Sequence, residues 1–294
     1  MKLKSMLSHL HSFNLVSEKG FNLETLKELL SSCINLTSLS INCIKYVDLN
    51  WNSLNVNIPN LVELKFHLNV SMNDDGLELL LKLNPNLKKL YLDECISLTP
   101  NAIQIIARCL PNLEELSLGY LLQKVGAVDL WCLSELKQSK SLTVILGPAL
   151  SIIHVMSENG IPIENLILWY VDVPDALIDK ILKLKQIKSL AVYNNGSVNI
   201  KDAHLELLAK NLPSLTEFRL SHSNHVTLDA LKNFVCCAKV LELLALNDIK
   251  NITTNNKDDL LYCVDQHSNL AIEIDSSENS TGFNVNNGLK CDQH

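Results

Sequence analysis

A short apolar pattern, Leu-x-x-Leu-x-Leu or a close variant of it, recurs along the chain. Its last two apolar positions are separated by one residue, which is the period of a strand with one buried face. Clear copies begin at Leu36, Leu61, Leu87, Leu113, Ile163, Ile187, Leu215 and Leu241, and weaker copies begin at Leu142 and Leu270. The mean spacing is 26 residues. Ten copies at one spacing predict a structural repeat.

The segments between these copies predict helices. Thr99 is a suitable N-cap and Pro100 suits the first helical position. The residues that then fall on one side are Ala102, Ile105, Ile106 and Cys109. Comparable helix starts follow Pro174 and Thr227. Strand and helix therefore alternate once in each repeat.

Stacked repeats of this kind predict an α/β solenoid of about ten repeats. The strands form a parallel sheet, and Leu90, Leu116 and Leu166 are expected in its core. Because a helix needs more width than a strand, the stack must curve into a horseshoe with a concave sheet and convex helices. Aromatic residues make up only 5% of the chain, so the core is built mainly from branched aliphatic side chains.

The pattern also divides the chain. Residues 26–274 carry the repeat and form the solenoid. Residues 1–25, with Phe13 and Leu15, are expected to be a degenerate N-terminal repeat or cap. Residues 275–294 are polar and have no period, which predicts a disordered tail.

One repeat carries more specific features than the others. In the segment from Asn86 to Leu113, Cys95 lies where the strand ends and Cys109 where the helix ends. This segment resembles the cysteine-containing class of leucine-rich repeat in F-box/LRR proteins, the substrate receptors of cullin-RING ubiquitin ligases. The resemblance implies an intracellular protein–protein interaction module that recognises a substrate protein.

The chain departs from that class in two respects. The strand-exit position is polar or cysteine in some repeats and aliphatic in others: Asn69, Cys95, Asn195 and Ser223 in the first group, and Ile44, Leu121, Val171 and Ile249 in the second. The first 30 residues show no Leu-Pro-x-Glu start of an F-box. A ligase adaptor is therefore expected as a partner only if an F-box lies upstream. A stand-alone scaffold and, less favoured, a GTPase activator or enzyme regulator remain as alternatives.

Charge and cysteine content limit the partners and the compartment. The formal net charge is −7 and no Lys/Arg cluster occurs, so no nucleic-acid partner is expected. The longest stretch without charged residues, Ser141 to Ser157, is too short to span a bilayer, so no membrane partner is expected. Nine cysteines without a CxxC pair fit reduced thiols, and hence a cytoplasmic or nuclear protein.

The sequence contains no recognisable catalytic motif, so the chain is not expected to be an enzyme. It has no Gly-rich phosphate loop and no nucleophile elbow, and hence no catalytic or cofactor-binding residue is predicted. Asp74-Asp75 and Asp258-Asp259 fall where helices begin, and there negative charge stabilises the helix. The Cys/His pairs, such as Cys263 and His267, lie far apart in the stack, so no metal site is predicted.

The concave face is the expected binding surface. The fifth position of the repeat carries Ser40, Lys65, Tyr91, Ser117, Ile167, Ala191, Arg219 and Ala245, and the seventh carries Asn42, His67, Asp93, Gly119, Trp169, Tyr193, Ser221 and Asn247. Aromatic residues and arginine are typical of interface hot spots. We therefore predict that Tyr91, Ile167, Trp169, Tyr193 and Arg219 bind a protein partner. The alternative is that Trp169 and Tyr193 are half-covered by their neighbours.

Overall fold

The computed structural model describes residues 6–17, 21–43, 50–68, 71–119, 129–194, 200–250, 252–262 and 270–275. In this part of the chain, eleven strands form one parallel sheet in chain order. The strands are β1 Ser12–Ser17, β2 Ser38–Cys43, β3 Glu63–His67, β4 Lys89–Asp93, β5 Glu115–Leu118, β6 Ser141–Ile145, β7 Asn165–Trp169, β8 Ser189–Tyr193, β9 Glu217–Ser221, β10 Leu243–Asn247 and β11 Ala271–Asp275.

Helical segments alternate with the strands and form a second layer. The α-helices are α1 Leu23–Leu30, α2 Asp74–Leu83, α3 Asn101–Cys109, α4 Ala149–Glu158, α5 Asp175–Ile181, α6 Asp202–Asn211, α7 Leu228–Cys237 and α8 Lys257–Tyr262. Short 3₁₀ helices span Trp51–Ser53, Asp129–Glu135 and Thr254–Asn256. The segment Asp129–Glu135 packs between α3 and α4, and so keeps the helical layer continuous. The predicted α/β alternation is confirmed.

The core lies between the two layers and is built from the two apolar positions of each strand. Leu90, Leu116 and Leu166 are 0%, 2% and 0% exposed, which confirms their predicted burial. The register pairs like positions of neighbouring strands, as in Leu90 with Leu116. Adjacent strands lie about 4.8 Å apart, whereas packed helices need about 8–10 Å. The sheet is therefore on the inside of the curve.

The first strand lies before the ten copies of the pattern. β1 pairs with β2 along its whole length, from Ser12 with Ser38 to Ser17 with Cys43. Phe13 and Leu15 pack against the core from this strand. The sheet therefore has one strand more than the pattern predicts. The tail from 276 to 294 lies outside the described residues.

Helix N-termini are linked from one repeat to the next. Asp74 lies in the first turn of α2, as predicted, and its carboxylate accepts hydrogen bonds from the backbone N–H and the hydroxyl of Thr99. Asp202, in the first turn of α6, accepts the same two bonds from Thr227, at 2.8 and 2.9 Å. Each aspartate therefore has a structural role. Helix α3 begins at Asn101, two residues after Thr99.

Among the described residues, the one directly after the strand has a left-handed backbone in six repeats. These residues, none of them glycine, are Leu68, Glu94, Leu146, Tyr170, His222 and Asp248, with φ between 48 and 58°. The backbone N–H of five of them donates to a carbonyl at the end of the following strand, as from Leu146 to Trp169 at 3.0 Å. This turn directs the chain out of the sheet into the loop that leads to the helix.

Four of the strand-exit residues named above lie among the described residues, and all four are buried. Cys95 and Ser223 are both 0% exposed, and Val171 and Ile249 are each 4% exposed. The Ser223 hydroxyl donates to the carbonyl of Ile200 at 3.3 Å. The other exit residues, Asn69, Asn195, Ile44 and Leu121, lie outside the described residues. Polar and aliphatic side chains thus fill the same interior position.

Candidate functional site

The C-terminal half of the concave sheet carries a patch of large side chains. Trp169 of β7 and Tyr193 of β8 are register partners, and their rings stack with centroids 4.2 Å apart at 28°. Ile167 lies two residues before Trp169 on the same face of β7. Arg219 lies on the next strand, β9, beside Ala191. We call Ile167, Trp169, Tyr193 and Arg219 the aromatic patch.

All four side chains of the aromatic patch are half-buried. The stacking of Trp169 on Tyr193 covers part of both side chains. The two residues therefore lie on the concave face, as predicted, but each is half-covered by its neighbours, as the alternative stated. Burial raises the pKa of the Tyr193 hydroxyl. Tyr170, which follows Trp169 in a left-handed conformation, adds a third ring at 5.9 Å. The sequence pattern does not predict this ring, because only the bend at the strand end brings Tyr170 alongside Trp169.

Arg219 is the cation of the aromatic patch. Its guanidinium lies 3.8 Å from the Glu217 carboxylate on the same strand, and the two side chains are 33% and 43% exposed. This separation is at the outer limit of an ion pair. An exposed pair of this kind contributes at most about 1 kcal/mol to stability, so the guanidinium can exchange Glu217 for a carboxylate or carbonyl of a partner.

The N-terminal half of the concave sheet is different, because its charged side chains pair with one another. Lys65 contacts Glu63 at 3.0 Å and lies 5.0 Å from the centre of the Tyr91 ring. The Tyr91 hydroxyl donates to Glu115 at 2.6 Å, and Lys89 pairs with the same carboxylate at 2.6 Å. We call these five residues the polar network.

The polar network corrects one predicted site residue. Tyr91 is buried, not exposed, and is 9% accessible. Long side chains from adjacent strands cover its ring and occupy its hydroxyl, which alternation along one strand does not predict. Burial and the Glu115 carboxylate raise the pKa of Tyr91. Tyr91 is therefore part of the sheet's own packing.

A similar pair lies on the next positions of the same two strands. The Ser117 hydroxyl donates to the Asp93 carboxylate at 2.7 Å, and Ser117 is 3% exposed. Burial raises the pKa of Asp93, although the bond from Ser117 opposes that shift. The expectation that fifth-position side chains point into solvent is wrong for Ser117 as well.

A concave cavity of about 290 Å³ adjoins the aromatic patch. Its lining includes Tyr193 and Arg219 from the patch, Asn247 from β10, and Glu273 and Asp275 from β11. Asn247 is 5% exposed, and neither atom of its carboxamide has a hydrogen-bond partner. The sequence placed Asn247 at the seventh position of its repeat but did not predict that it is buried. The β11 residues were missed because the predicted copy begins at Leu270, one residue after the position that is in register with Leu241.

Two further findings concern the part of the chain that the structure describes. No cluster of three or more His, Cys, Asp or Glu side chains is arranged there to hold a metal ion. No helix there combines the length and the apolar character that crossing a bilayer requires. Cys263 and His267, the pair considered above, lie outside the described residues.

Comparison with known proteins gives structural likenesses only. No protein-family model matches the chain, and no curated protein matches it significantly. A chain in the crystal structure of the TLR13–ssRNA13 complex is similar, with 20% sequence identity and a TM-score of 0.48 over 93% of this chain and 33% of that chain. A chain in the crystal structure of the yeast Rad7 and Elc1 complex is similar, with 17% identity and a TM-score of 0.49 over 92% of this chain and 69% of that chain.

This chain spans about a third of the length of the TLR13 chain. Both TM-scores are below 0.5, so the fold assignment depends on the repeat and the eleven-strand parallel sheet of the chain itself. This chain has the leucine-rich-repeat fold. The comparisons do not support the expectation that the solenoid has no nucleic-acid partner, which stays a prediction.

Proposed function

We propose that this leucine-rich-repeat solenoid is a protein-binding module and not an enzyme, and that it holds its partner against the aromatic patch. The observation that supports the proposal is the stacked Trp169–Tyr193 pair on the concave face, half-exposed and next to Arg219. Aromatic rings give a large contact area for little loss of rotamer entropy, and with arginine they are enriched in interface hot spots.

The contrast between the two halves of the sheet supports this location. In the polar network, Tyr91, Lys89 and Glu115 already satisfy one another at 2.6 Å. A partner that bound there would have to break these contacts and desolvate the charges. The aromatic patch offers apolar area and a weakly paired guanidinium instead, so binding there costs less.

A narrower version of the proposal concerns the class of partner. The repeat from Asn86 to Leu113 resembles those of F-box/LRR receptors, and we propose that the partner is a substrate protein in the cytoplasm or nucleus. The link to a ubiquitin ligase is a separate hypothesis. Recovery of an adaptor and a cullin with the full-length protein from native lysate supports it, and their absence alongside a recovered partner contradicts it.

The test of the binding surface compares two tryptophans. Trp169→Ala removes the stacked ring, whereas Trp131→Ala removes a 63% exposed ring in the 3₁₀ helix Asp129–Glu135 of the helical layer. For a partner recovered by crosslinking and purified, we expect Trp169→Ala to raise Kd by about 30-fold or more, equivalent to about 2 kcal/mol. We expect Trp131→Ala to change Kd less than twofold.

Circular dichroism and urea unfolding of both variants show whether the fold is retained. Trp169→Ala that is folded and binds as tightly as the wild type would place the recognition surface elsewhere. A loss of affinity of the same size in Trp131→Ala would point to the helical layer instead.

A further inference from the structure

Asn247 combines deep burial with unmet hydrogen bonding. Its carboxamide carries two N–H donors and a carbonyl acceptor. The residue is only 5% exposed, and its Oδ1 and Nδ2 are buried and lack a partner. A buried polar group without a partner destabilises a folded protein. Such a group therefore calls for an explanation, and one explanation is a ligand.

Asn84 shows how this solenoid treats a structural asparagine. Asn84 is 3% exposed, and its Oδ1 accepts from the Ile58 backbone at 2.8 Å. Its Nδ2 donates to the carbonyls of Val56 and Leu80, at 3.0 and 2.8 Å. Both N–H donors of Nδ2 are thus used, and Oδ1 accepts one hydrogen bond. Asn42, on β2, is an intermediate case, since only its Oδ1 is buried without a partner.

The position of Asn247 relates its carboxamide to the cavity of about 290 Å³ described above. Asn247 is in register with Asp275 on β11, and both residues line the cavity. Tyr193 lines the same cavity and stacks on Trp169, so the cavity and the aromatic patch share a wall. A ligand in the cavity therefore lies against Asn247 on the concave face. Less than 1 Å² of Oδ1 and of Nδ2 is open to solvent, so a ligand pairs with the carboxamide only after a small movement of the side chain.

The charges around the cavity favour a basic group. Glu273 and Asp275 contribute two carboxylates to the lining, whereas Arg219 contributes one guanidinium that lies 3.8 Å from Glu217. An anionic ligand would be repelled by the carboxylates. A bare cation would satisfy only the Oδ1 of Asn247 and would leave Nδ2 without an acceptor.

We propose that the cavity binds an extended peptide segment of the partner protein, with one main-chain amide paired to the Asn247 carboxamide and a lysine or arginine beside Glu273 and Asp275. A peptide unit presents one N–H and one C=O, which match the Oδ1 and Nδ2 of a carboxamide. This inference rests on the proposed function for the position of the partner and adds the chemistry of the segment that is recognised.

The first experiment needs no ligand and applies one substitution to two buried asparagines. Asn84→Leu leaves three backbone groups without their partner, so its urea unfolding midpoint is expected to fall. Asn247→Leu removes a carboxamide that has no partner, so its midpoint is expected to stay the same or rise. A fall of the Asn247→Leu midpoint as large as that of Asn84→Leu would show a structural role and overturn the proposal.

The second experiment uses a displayed library of random linear heptapeptides as the probe. Peptides enriched on the wild-type protein are expected to carry a lysine or arginine. Their Kd for Asn247→Leu is expected to be at least tenfold higher than their Kd for the wild type. In the tightest peptide, N-methylation of one backbone amide is expected to weaken binding to the wild type at least tenfold and binding to Asn247→Leu less than twofold.

The outcomes separate this inference from the proposed function. Peptides that are weakened by Trp169→Ala but not by Asn247→Leu leave the patch in place and overturn the inference. Peptides that depend on a glutamine or asparagine side chain, and not on a backbone amide, overturn the assignment to the main chain. Acidic peptides, or no enrichment over Asn247→Leu, overturn the inference too. Peptides whose Kd is changed by neither Trp169→Ala nor Asn247→Leu contradict the proposed function as well.

Discussion

At the scale of single residues, the two faces of each strand have different energetic roles. Leu166 of β7 is 0% exposed between the sheet and the helices. Thr143, on β6, faces the concave side and is half-buried. We expect Leu166→Ala to destabilise the protein by about 2–5 kcal/mol, because it leaves a cavity in the core. Thr143→Ala is expected to change stability by less than about 0.5 kcal/mol.

Urea unfolding monitored by circular dichroism measures both variants. Ser117, the register partner of Thr143 on β5, does not serve as this control, because its hydroxyl is buried and bonded to Asp93. Equal shifts for Leu166→Ala and Thr143→Ala would mean that the assignment of the two faces is wrong.

The raised pKa of Tyr91 makes stability depend on pH. The folded state keeps the phenol proton above the ordinary value of 10.0, whereas the unfolded state loses it there. The contribution of this proton to stability is therefore fully present below pH 10.0 and falls as the pH rises above it. We expect the urea midpoint of Tyr91→Phe to fall less steeply than that of the wild type between about pH 10 and pH 11.5.

A matched variant is Tyr262→Phe, which removes the hydroxyl of an 84% exposed tyrosine. Its pH profile is expected to follow the wild type. A Tyr91→Phe profile that is parallel to the wild type throughout would contradict the role given to the Glu115 bond and to burial.

Alternation along the strands predicts which residues face inward but not how neighbouring strands cover one another. It places Ile167, Trp169, Tyr193 and Arg219 on one face, and the structure brings them together. It fails for Tyr91, whose cover comes from Lys65 and Glu115 on the strands beside it. The length and flexibility of those two side chains decide the outcome, and the spacing of apolar residues does not encode either.

At the scale of elements, the left-handed residue after the strand is the least expected feature. Residues with a side chain disfavour this region by about 1–2 kcal/mol, and glycine does not. Glu94 has φ of 58° and follows β4. We expect Glu94→Gly to stabilise the protein by about 0.5–1 kcal/mol and Glu94→Val to destabilise it by about 1 kcal/mol or more, since a β-branched side chain fits this region poorly.

The free energies of unfolding from urea titrations of the two variants give the comparison. A lower stability for Glu94→Gly than for Glu94→Val would show that the side chain of Glu94, and not its backbone conformation, determines stability at this turn.

The period of the pattern predicts the strands well and the turns poorly. Each of the eight clear copies contains a described strand, because burial of its two apolar positions is what creates the pattern. The two weak copies also overlap strands, but their predicted register is wrong: Leu142 pairs with Leu116, and Ile272 pairs with Leu244. The left-handed turns leave no signal, since none of the six residues is glycine. The segment Asp129–Glu135 forms a 3₁₀ helix between β5 and β6, although the register partners Leu116 and Leu142 are 26 residues apart, which is the mean spacing of the repeat.

At the scale of the whole molecule, stability is expected to vary along the stack. β1 has no fully buried side chain and pairs on one side with β2, while β11 has one buried side chain and pairs with β10. Strands β4 to β8 have two neighbours and continuous buried rows. We therefore expect the amides of β4 to β8 to exchange with solvent at least 100-fold more slowly than those of β1 and β11.

Native-state hydrogen exchange with peptide-level mass spectrometry measures these rates. Equal protection of β1, β6 and β11 would indicate one cooperative unit along the whole sheet. It would contradict the view that each repeat is stabilised mainly by its neighbours.

The order of the strands also bears on how the chain acquires its structure during synthesis. Each strand that the structure describes pairs only with the described strands before and after it, and register partners such as Leu90 and Leu116 are 26 residues apart. Contacts that are this local favour rapid folding, so repeats can dock one after another as they leave the ribosome. The cavity beside Asn247 includes residues of β11. It is therefore completed only after residue 275 has emerged, and a nascent chain shorter than that lacks the peptide-binding cavity that we propose.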